Sequence, residues 1–289
     1  MIAEYHSLKE LEYLSVTEHK PVWEIVQLSD MHDSERSAEQ SFAKMLEMYH
    51  AMKLADLDYD GTRRSASKRA GGDGEKLHQY NLAGKNICGD FIGKVMEKAI
   101  KMGESNACMR RIVAAPTAGS CGVLPAVLLS FAEDYSASEE ELVHALYVAA
   151  GIGKVIAENA SLAGASGGCQ AEIGSASAMA AGALVSLQGG DAQAVMHGAA
   201  LALKNMLGLV CDPVAGLVEV PCIKRNSYGA VNAVTSAQLA VAGIRSAIDP
   251  DEVIESMKRI GNQLPSCLKE TSEGGLAVTE SARHYQRKE

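Results

Sequence analysis

The chain has 289 residues, with 27 basic and 36 acidic side chains, a net charge of −9 and 47% hydrophobic residues. These values are typical of a soluble globular protein that buries a substantial core, as one large domain or two modest ones, without a disulfide framework. The acidic balance and the lack of a long basic run argue against nucleic-acid binding, because such surfaces need clustered lysine and arginine.

The start of the chain, MIAEYHSLKELEYL, carries acidic residues among its apolar ones and lacks the basic start and apolar stretch of a secretory signal. No run of about 20 uninterrupted strongly apolar residues is present to cross a bilayer. We therefore expect a cytoplasmic protein with no membrane partner. The seven cysteines are an odd number, and in a reducing compartment they favour buried thiols, a metal site or reactive thiolates over disulfides.

The spacing of apolar residues predicts helices along most of the chain. Ser7 followed by Glu10 is a capping-box pattern that opens a first helix, and residues 42–52 repeat with helical spacing. Residues 57–86 are polar and glycine-rich, which predicts a long surface loop. Helical patterns then resume at about 88–103, 123–134, 139–158, 171–188, 191–207, 229–247 and 251–260.

Several of these helices have recognisable ends. Ser138, Asp191 and Asp249 stand where an N-cap is expected, and Gly208 and Gly261 stand where a helix would stop. Sustained strand-type alternation is hard to find, and the second half of the chain is rich in alanine and glycine, which let helices approach closely. The predicted fold is mainly α, a single compact helical domain over residues 1–289 with glycine-rich loops.

Three cysteines lie beside residues that break regular backbone, namely Cys169, Cys211 and Cys222. A helix over 211–222 would hold its two thiols about 16 Å apart, but the proline and glycine residues of CDPVAGLVEVPC forbid that helix and allow a loop that folds back. Cys169 ends a second glycine-rich loop, GASGGC. Three such thiolates suit an iron–sulfur cluster. A structural zinc site and plain buried thiols are the alternatives.

Residues 115–122, with the sequence APTAGSCG, form a second candidate site ahead of a predicted helix near Val123. A loop of this kind presents backbone N–H groups and hydroxyls where the helix dipole is positive, which suits a substrate carboxylate or phosphate. The alternative is an ordinary capping turn. Residues 65–74 faintly suggest the cofactor lysine of a pyridoxal-phosphate enzyme, but Lys68 lies in a polar loop rather than in an apolar pocket. His144 and His197 lie within helical patterns and receive no functional role.

Four runs of the sequence, at 106–128, 158–184, 207–234 and 264–277, strongly resemble the α subunit of the iron–sulfur-dependent bacterial L-serine dehydratases. The resemblance extends over nearly the whole chain. It implies a four-iron four-sulfur cluster held by Cys169, Cys211 and Cys222, with the fourth iron open to substrate. The alternative function is a non-catalytic structural or regulatory subunit with a zinc or thiol site.

The reaction that the resemblance implies is the elimination of water from L-serine, which gives pyruvate and ammonia in amino-acid degradation and gluconeogenesis. The open iron would act as a Lewis acid on the serine hydroxyl while a base removes the α-proton. The substrate carboxylate and amine would be held by residues of the APTAGSCG loop and by Asn106, which precedes the loop in the chain. These residues are Asn106, Thr117, Gly119 and Ser120.

The resemblance also implies a partner. In the family a second region, fused in some members and a separate β subunit in others, completes the enzyme. We therefore expect an oligomer that contains a β subunit. The catalytic base stays unassigned, because the partner chain is a possible source of it.

Overall fold

The computed structural model describes residues 4–286, and these residues are mainly helical, as predicted. The first half contains helices α1 (Leu8–Thr17), α2 (Val22–Ser34), α3 (Ala38–Leu57), α4 (Asp73–Leu82), α5 (Asp90–Ala107), α6 (Val123–Tyr135) and α7 (Glu139–Asn159). The second half contains α8 (Gly164–Gly167), α9 (Ser175–Leu187), α10 (Ala192–Lys204), α11 (Cys222–Val241), α12 (Pro250–Gln263) and α13 (Glu280–Gln286). Within the described range, the extended pairing is a single isolated bridge between Cys211 and Lys269.

Helix α9 lies at the centre of the fold. Every residue from Ser175 to Val185 is buried, and the helix packs against α6, α7, α10 and α11. Its small side chains allow this close approach: a Cβ atom at Gly182 would lie 2.2 Å from Ile152 Cδ1 of α7. The alanine and glycine richness of the sequence therefore serves helix packing, as expected.

The predicted helix starts at Ser138, Asp191 and Asp249 are confirmed, since each side chain accepts a backbone N–H of its first turn. Two predicted helix boundaries, one end and one start, were wrong. The helix expected to stop at Gly261 continues to Gln263, because this glycine serves close packing, with its Cβ position 3.1 Å from Gly167 Cα. The helix expected from residue 229 begins already at Cys222.

The loop predicted over residues 57–86 is also corrected in part. Residues 58–72 are irregular, but Asp73–Leu82 form α4. The carboxylate of Glu104 on α5 accepts the N–H groups of Asp73 and Gly74 at 2.8 and 3.0 Å. The start of α4 is thus capped by a residue distant in sequence, which local patterns do not reveal.

Within residues 4–286, none of the helices combines the length and the apolar character needed to cross a membrane.

Candidate active site

Cys169 lies where the glycine-rich loop enters a one-turn π-helix, Gln170–Gly174, that leads into α9. Gly168 before it adopts a φ of 75°, which favours glycine. The fully buried side chain of Gln170 fixes this turn by donating to the carbonyls of Gly167 and Met257 and accepting the N–H of Gly208. Cys169 is itself buried.

The segment from Cys211 to Cys222 folds back on itself, as the sequence predicted. The N–H of Val214 donates to the carbonyl of Val220 at 2.8 Å, which closes the loop. Cys211 pairs through its backbone with Leu268 and Glu270 of the C-terminal segment. Cys222, partly buried, is the first residue of α11.

The three cysteines are close enough for the charge of one to change the pKa of another. Burial raises the pKa of the Cys169 thiol to about 11 and that of Cys222 to about 12, and it raises the pKa of Cys211 further. Negative charge on Cys169 raises the pKa of both other thiols, whereas the positive charge of Arg225 lowers the pKa of Cys169 and Cys222. A nearby positive charge favours the thiolate form of such buried cysteines.

Arg225 and Asp212 form a buried ion pair beside the cysteines. Arg225 Nη2 lies 2.8 Å from Asp212 Oδ1, and Nη1 donates to the carbonyl of Val210 at 2.8 Å. The other carboxylate oxygen of Asp212 accepts the N–H of Leu276 at 2.8 Å. The pair therefore connects the cysteine loop, α11 and the C-terminal segment.

The APTAGSCG loop forms a short 3₁₀-helix, Ala118–Ser120, directly before α6. Thr117 and Ser120 cap it reciprocally, with their hydroxyl oxygens 3.1 Å apart. Asn106, near the end of α5, donates from Nδ2 to the carbonyl of Ala118 at 3.3 Å. The structure thus brings Asn106, Thr117, Gly119 and Ser120 together. Ser120 is fully buried, so its hydroxyl supports the loop from inside.

A residue that sequence reasoning missed joins this loop to the cysteines. Glu172, in the π-helix after Cys169, accepts a hydrogen bond from Thr117 Oγ1 at 2.8 Å. A Cβ atom at Gly164 would lie 2.9 Å from Glu172 Oε2 and 3.0 Å from Cys211 Sγ. Burial raises the pKa of Glu172, and the Thr117 hydrogen bond opposes that change. Glu172 lies three residues after Cys169, and Arg225 lies three residues after Cys222. On a helix this spacing places two side chains on the same face, so the sequence alone could have indicated both residues.

The free thiols of the chain are its candidate donors for a metal group. All seven cysteines are free thiols. Between residues 4 and 286, no group of three or more His, Cys, Asp or Glu side chains could hold a metal ion as arranged. A single zinc ion requires ligands that converge on one point, whereas in a four-iron cluster each thiolate binds a different iron. The donors available for such a group are two buried thiols, Cys169 and Cys211, and one partly buried thiol, Cys222.

The remaining cysteines have different surroundings. Cys121 is fully buried, with its Sγ 3.7 Å from the carbonyl of Met102, and Cys88 is exposed. Cys108 and Cys267 are partly buried, and Cys267 precedes Leu268, whose carbonyl accepts the N–H of Cys211.

A family model and individual known proteins indicate the same family for this chain. Residues 17–277 match the model of the family described as serine dehydratase alpha chain. The probable L-serine dehydratase, alpha chain, of Bacillus subtilis is 43% identical over 287 residues, which cover 98% of this chain and 95% of that protein. The L-serine dehydratase, alpha chain, of Peptoniphilus asaccharolyticus is 41% identical over 90% of this chain and 89% of its own length.

A longer relative matches as well. The L-serine dehydratase of Helicobacter pylori strain J99 is 36% identical over 96% of this chain, but the match covers only 62% of that protein. The family match thus spans the loop of residues 115–122, the three cysteines and the helices that hold them. With a family model that covers most of its length and relatives of nearly equal length, the chain belongs to the serine dehydratase alpha chain family.

Proposed function

We propose that this chain is the α subunit of an iron–sulfur-dependent L-serine dehydratase, which eliminates water from L-serine and gives pyruvate and ammonia. The observation that carries the proposal is the position of three free thiols, two buried and one partly buried, beside a loop of hydroxyls and backbone N–H groups. The names of the relatives, which are L-serine dehydratases, supply the substrate and the reaction.

Cys169, Cys211 and Cys222 would hold a four-iron four-sulfur cluster. When bound, the cluster would supply a Lewis-acidic iron that makes the serine hydroxyl a better leaving group. The chain itself positions the thiols: Gln170 fixes the turn at Cys169, and the pair of Arg225 and Asp212 fixes the loop between the other two. Arg225 also places positive charge where thiolate charge develops.

The substrate would lie against the loop of residues 117–120. Thr117 is partly exposed and directs its hydroxyl to Glu172, and the start of α6 follows the loop directly. Backbone N–H groups before a helix stabilise an anion, so we assign the substrate carboxylate to this loop. Asn106 and Asn226 hold its shape through the carbonyls of Ala118 and Gly119.

A β subunit would complete the enzyme. The two relatives of similar length are named as alpha chains, and the longer relative has a further region beyond the match. We assign the base that removes the α-proton to that partner.

The test is pyruvate formation from L-serine by the complete enzyme, purified and assayed without oxygen and without pyridoxal phosphate. Activity under these conditions supports the proposal. Activity that depends on added pyridoxal phosphate, or the absence of any dehydration by the cluster-loaded complex, contradicts it.

A further inference from the structure

Glu172 is a partly buried carboxylate that forms no ion pair with the described residues, although the charge of Arg225 lowers its pKa. Among residues 4–286, no lysine, arginine or histidine nitrogen lies within 4.0 Å of it, and its hydrogen bond is to the neutral hydroxyl of Thr117. The nearby cation, Arg225, is engaged with Asp212 and the carbonyl of Val210. Buried carboxylates are normally paired, because removing charge from water is costly. A cation supplied by a ligand would satisfy this one.

The space around the carboxylate is kept free by two glycines. A Cβ atom at Gly119 would lie 3.2 Å from Glu172 Oε1, and one at Gly164 would lie 2.9 Å from Oε2. Gly119 belongs to the loop assigned to the substrate carboxylate, whereas Gly164 lies beside Cys211. Glu172 therefore borders both halves of the site. It also remains partly accessible.

The other acidic side chains nearby are less suited to a cationic ligand. Asp212 is already neutralised by Arg225 and accepts the N–H of Leu276. Glu270, whose charge raises the pKa of Glu172, is exposed to solvent. Of these three carboxylates, Glu172 alone combines partial burial with the absence of an ion pair to residues 4–286.

We propose that Glu172 binds the α-ammonium group of the amino-acid substrate and thereby selects amino acids over the corresponding hydroxy acids. The inference rests on the proposed function. In this arrangement the loop of residues 117–120 holds the carboxylate, the cysteine site receives the hydroxyl, and Glu172 holds the remaining charged group. Thr117 orients the Glu172 carboxylate through their hydrogen bond.

The experiment uses the complete, cluster-loaded enzyme and the variants Glu172→Gln, Glu172→Asp and Glu255→Gln. Glu255 is the matched control, a surface glutamate of α12 with a side chain 62% exposed. Two quantities are measured: the KM for L-serine, and the inhibition constant of 3-hydroxypropanoate, which lacks the amine. Iron and sulfide contents are determined for every variant.

We expect Glu172→Gln to raise the KM for L-serine about 10- to 100-fold, as for a lost hydrogen bond between charged groups, with an unchanged inhibition constant for 3-hydroxypropanoate. Glu172→Asp should raise the KM less and retain the preference for the amine, which keeps the test decisive if the Gln variant does not fold. Glu255→Gln should match the wild type in both constants, and all cluster contents should be equal.

Three outcomes would overturn the assignment of Glu172 in an active wild-type enzyme. An unchanged KM would exclude a role in binding, and an equal loss of affinity for both compounds in both variants would indicate a structural role. A fall in kcat with an unchanged KM would assign the residue to proton transfer instead. A cluster-loaded wild-type enzyme that does not dehydrate L-serine would overturn the proposed function itself, and this assignment with it.

Discussion

Gly168 precedes Cys169 and Pro221 precedes Cys222, whereas Cys211 lies two residues before Pro213. Glycine and proline interrupt regular helices, so cysteines beside them can lie in loops between the packed helices. Of the four other cysteines, Cys88 is exposed, Cys108 and Cys267 are partly buried, and Cys121 is buried in the helix core. Substitution of the seven cysteines should therefore have unequal effects.

We predict that replacing Cys169, Cys211 or Cys222 with Ser abolishes cluster binding, because in the proposed site each would supply one thiolate. Iron and acid-labile sulfide per chain, measured without oxygen, check this expectation. Cys267→Ala is the matched control and should retain its iron, because a fourth thiolate would occupy the position that the substrate hydroxyl needs. Loss of iron from Cys267→Ala equal to that from Cys169→Ala would disprove the three-ligand assignment.

A second prediction concerns the buried ion pair. Asp212→Asn should lower the free energy of unfolding by about 3–5 kcal/mol, because it leaves Arg225 buried without its counter-charge. Glu255→Gln, which removes an exposed pair with Arg259, should cost less than about 1 kcal/mol. Urea unfolding of the anaerobic protein measures both values. Equal small losses in the two variants would show that the buried pair adds no stability.

The sequence identified the residues with a distinctive local setting and missed those defined by long-range contacts. The three cysteines stood out because glycine and proline surround them, and the APTAGSCG loop because hydroxyls precede a helix. Glu172 was missed because its role depends on Thr117, 55 positions away in the chain. The role of Arg225 likewise depends on how the segment after Cys211 folds back.

At the scale of helices, local caps were predictable and distant caps were not. Ser138 and Asp191 bind N–H groups of their own helices, and the side chain that satisfies them is visible in the sequence. The start of α4 is instead capped by Glu104 of α5, so residues 73–82 were read as loop. Contacts between helices therefore decide the structure where local signals are weak.

The contact between α2 and α7 leads to a prediction on pH. His144 stacks on Trp23 with the ring centroids 3.6 Å apart and the planes 6° from parallel. Burial lowers the pKa of His144, so below the unfolded pKa of about 6.5 the unfolded chain binds a proton that the folded chain does not. The stability that this neutral histidine contributes is therefore lost as the pH falls below that value.

The variant His144→Phe retains a stacked ring but cannot be protonated. As the pH is lowered from about 7.5 to about 5.5, the wild type should lose more unfolding free energy than this variant. Urea unfolding followed by the fluorescence of Trp23, the single tryptophan of the chain, measures the difference. Parallel pH curves for the two proteins would contradict the prediction.

At the scale of the whole molecule, the small residues of α9 and its neighbours build a closely packed helical core that holds both candidate loops. The helical class followed from the sequence because periodicity and composition agree along most of the chain. The relative placement of the loops did not, since it depends on which helices pack together. The proposed β subunit is supported by relatives named as alpha chains and by one longer relative.

The isolated chain, even when loaded with its cluster, should show little dehydration of L-serine. Loss of a general base lowers rates by about 100-fold or more, and we assign that base to the β subunit. Pyruvate formation is measured with the chain alone and after addition of the partner, which should restore activity. Full activity from the verified single chain would show that the base lies within these 289 residues.

Metal and sulfide analysis of the anaerobically purified chain tests whether its three thiols hold an iron–sulfur cluster. We predict a brown protein with about four iron and about four acid-labile sulfide per chain, which bleaches in air. A colourless anaerobic preparation with one zinc per chain and no acid-labile sulfide would contradict it.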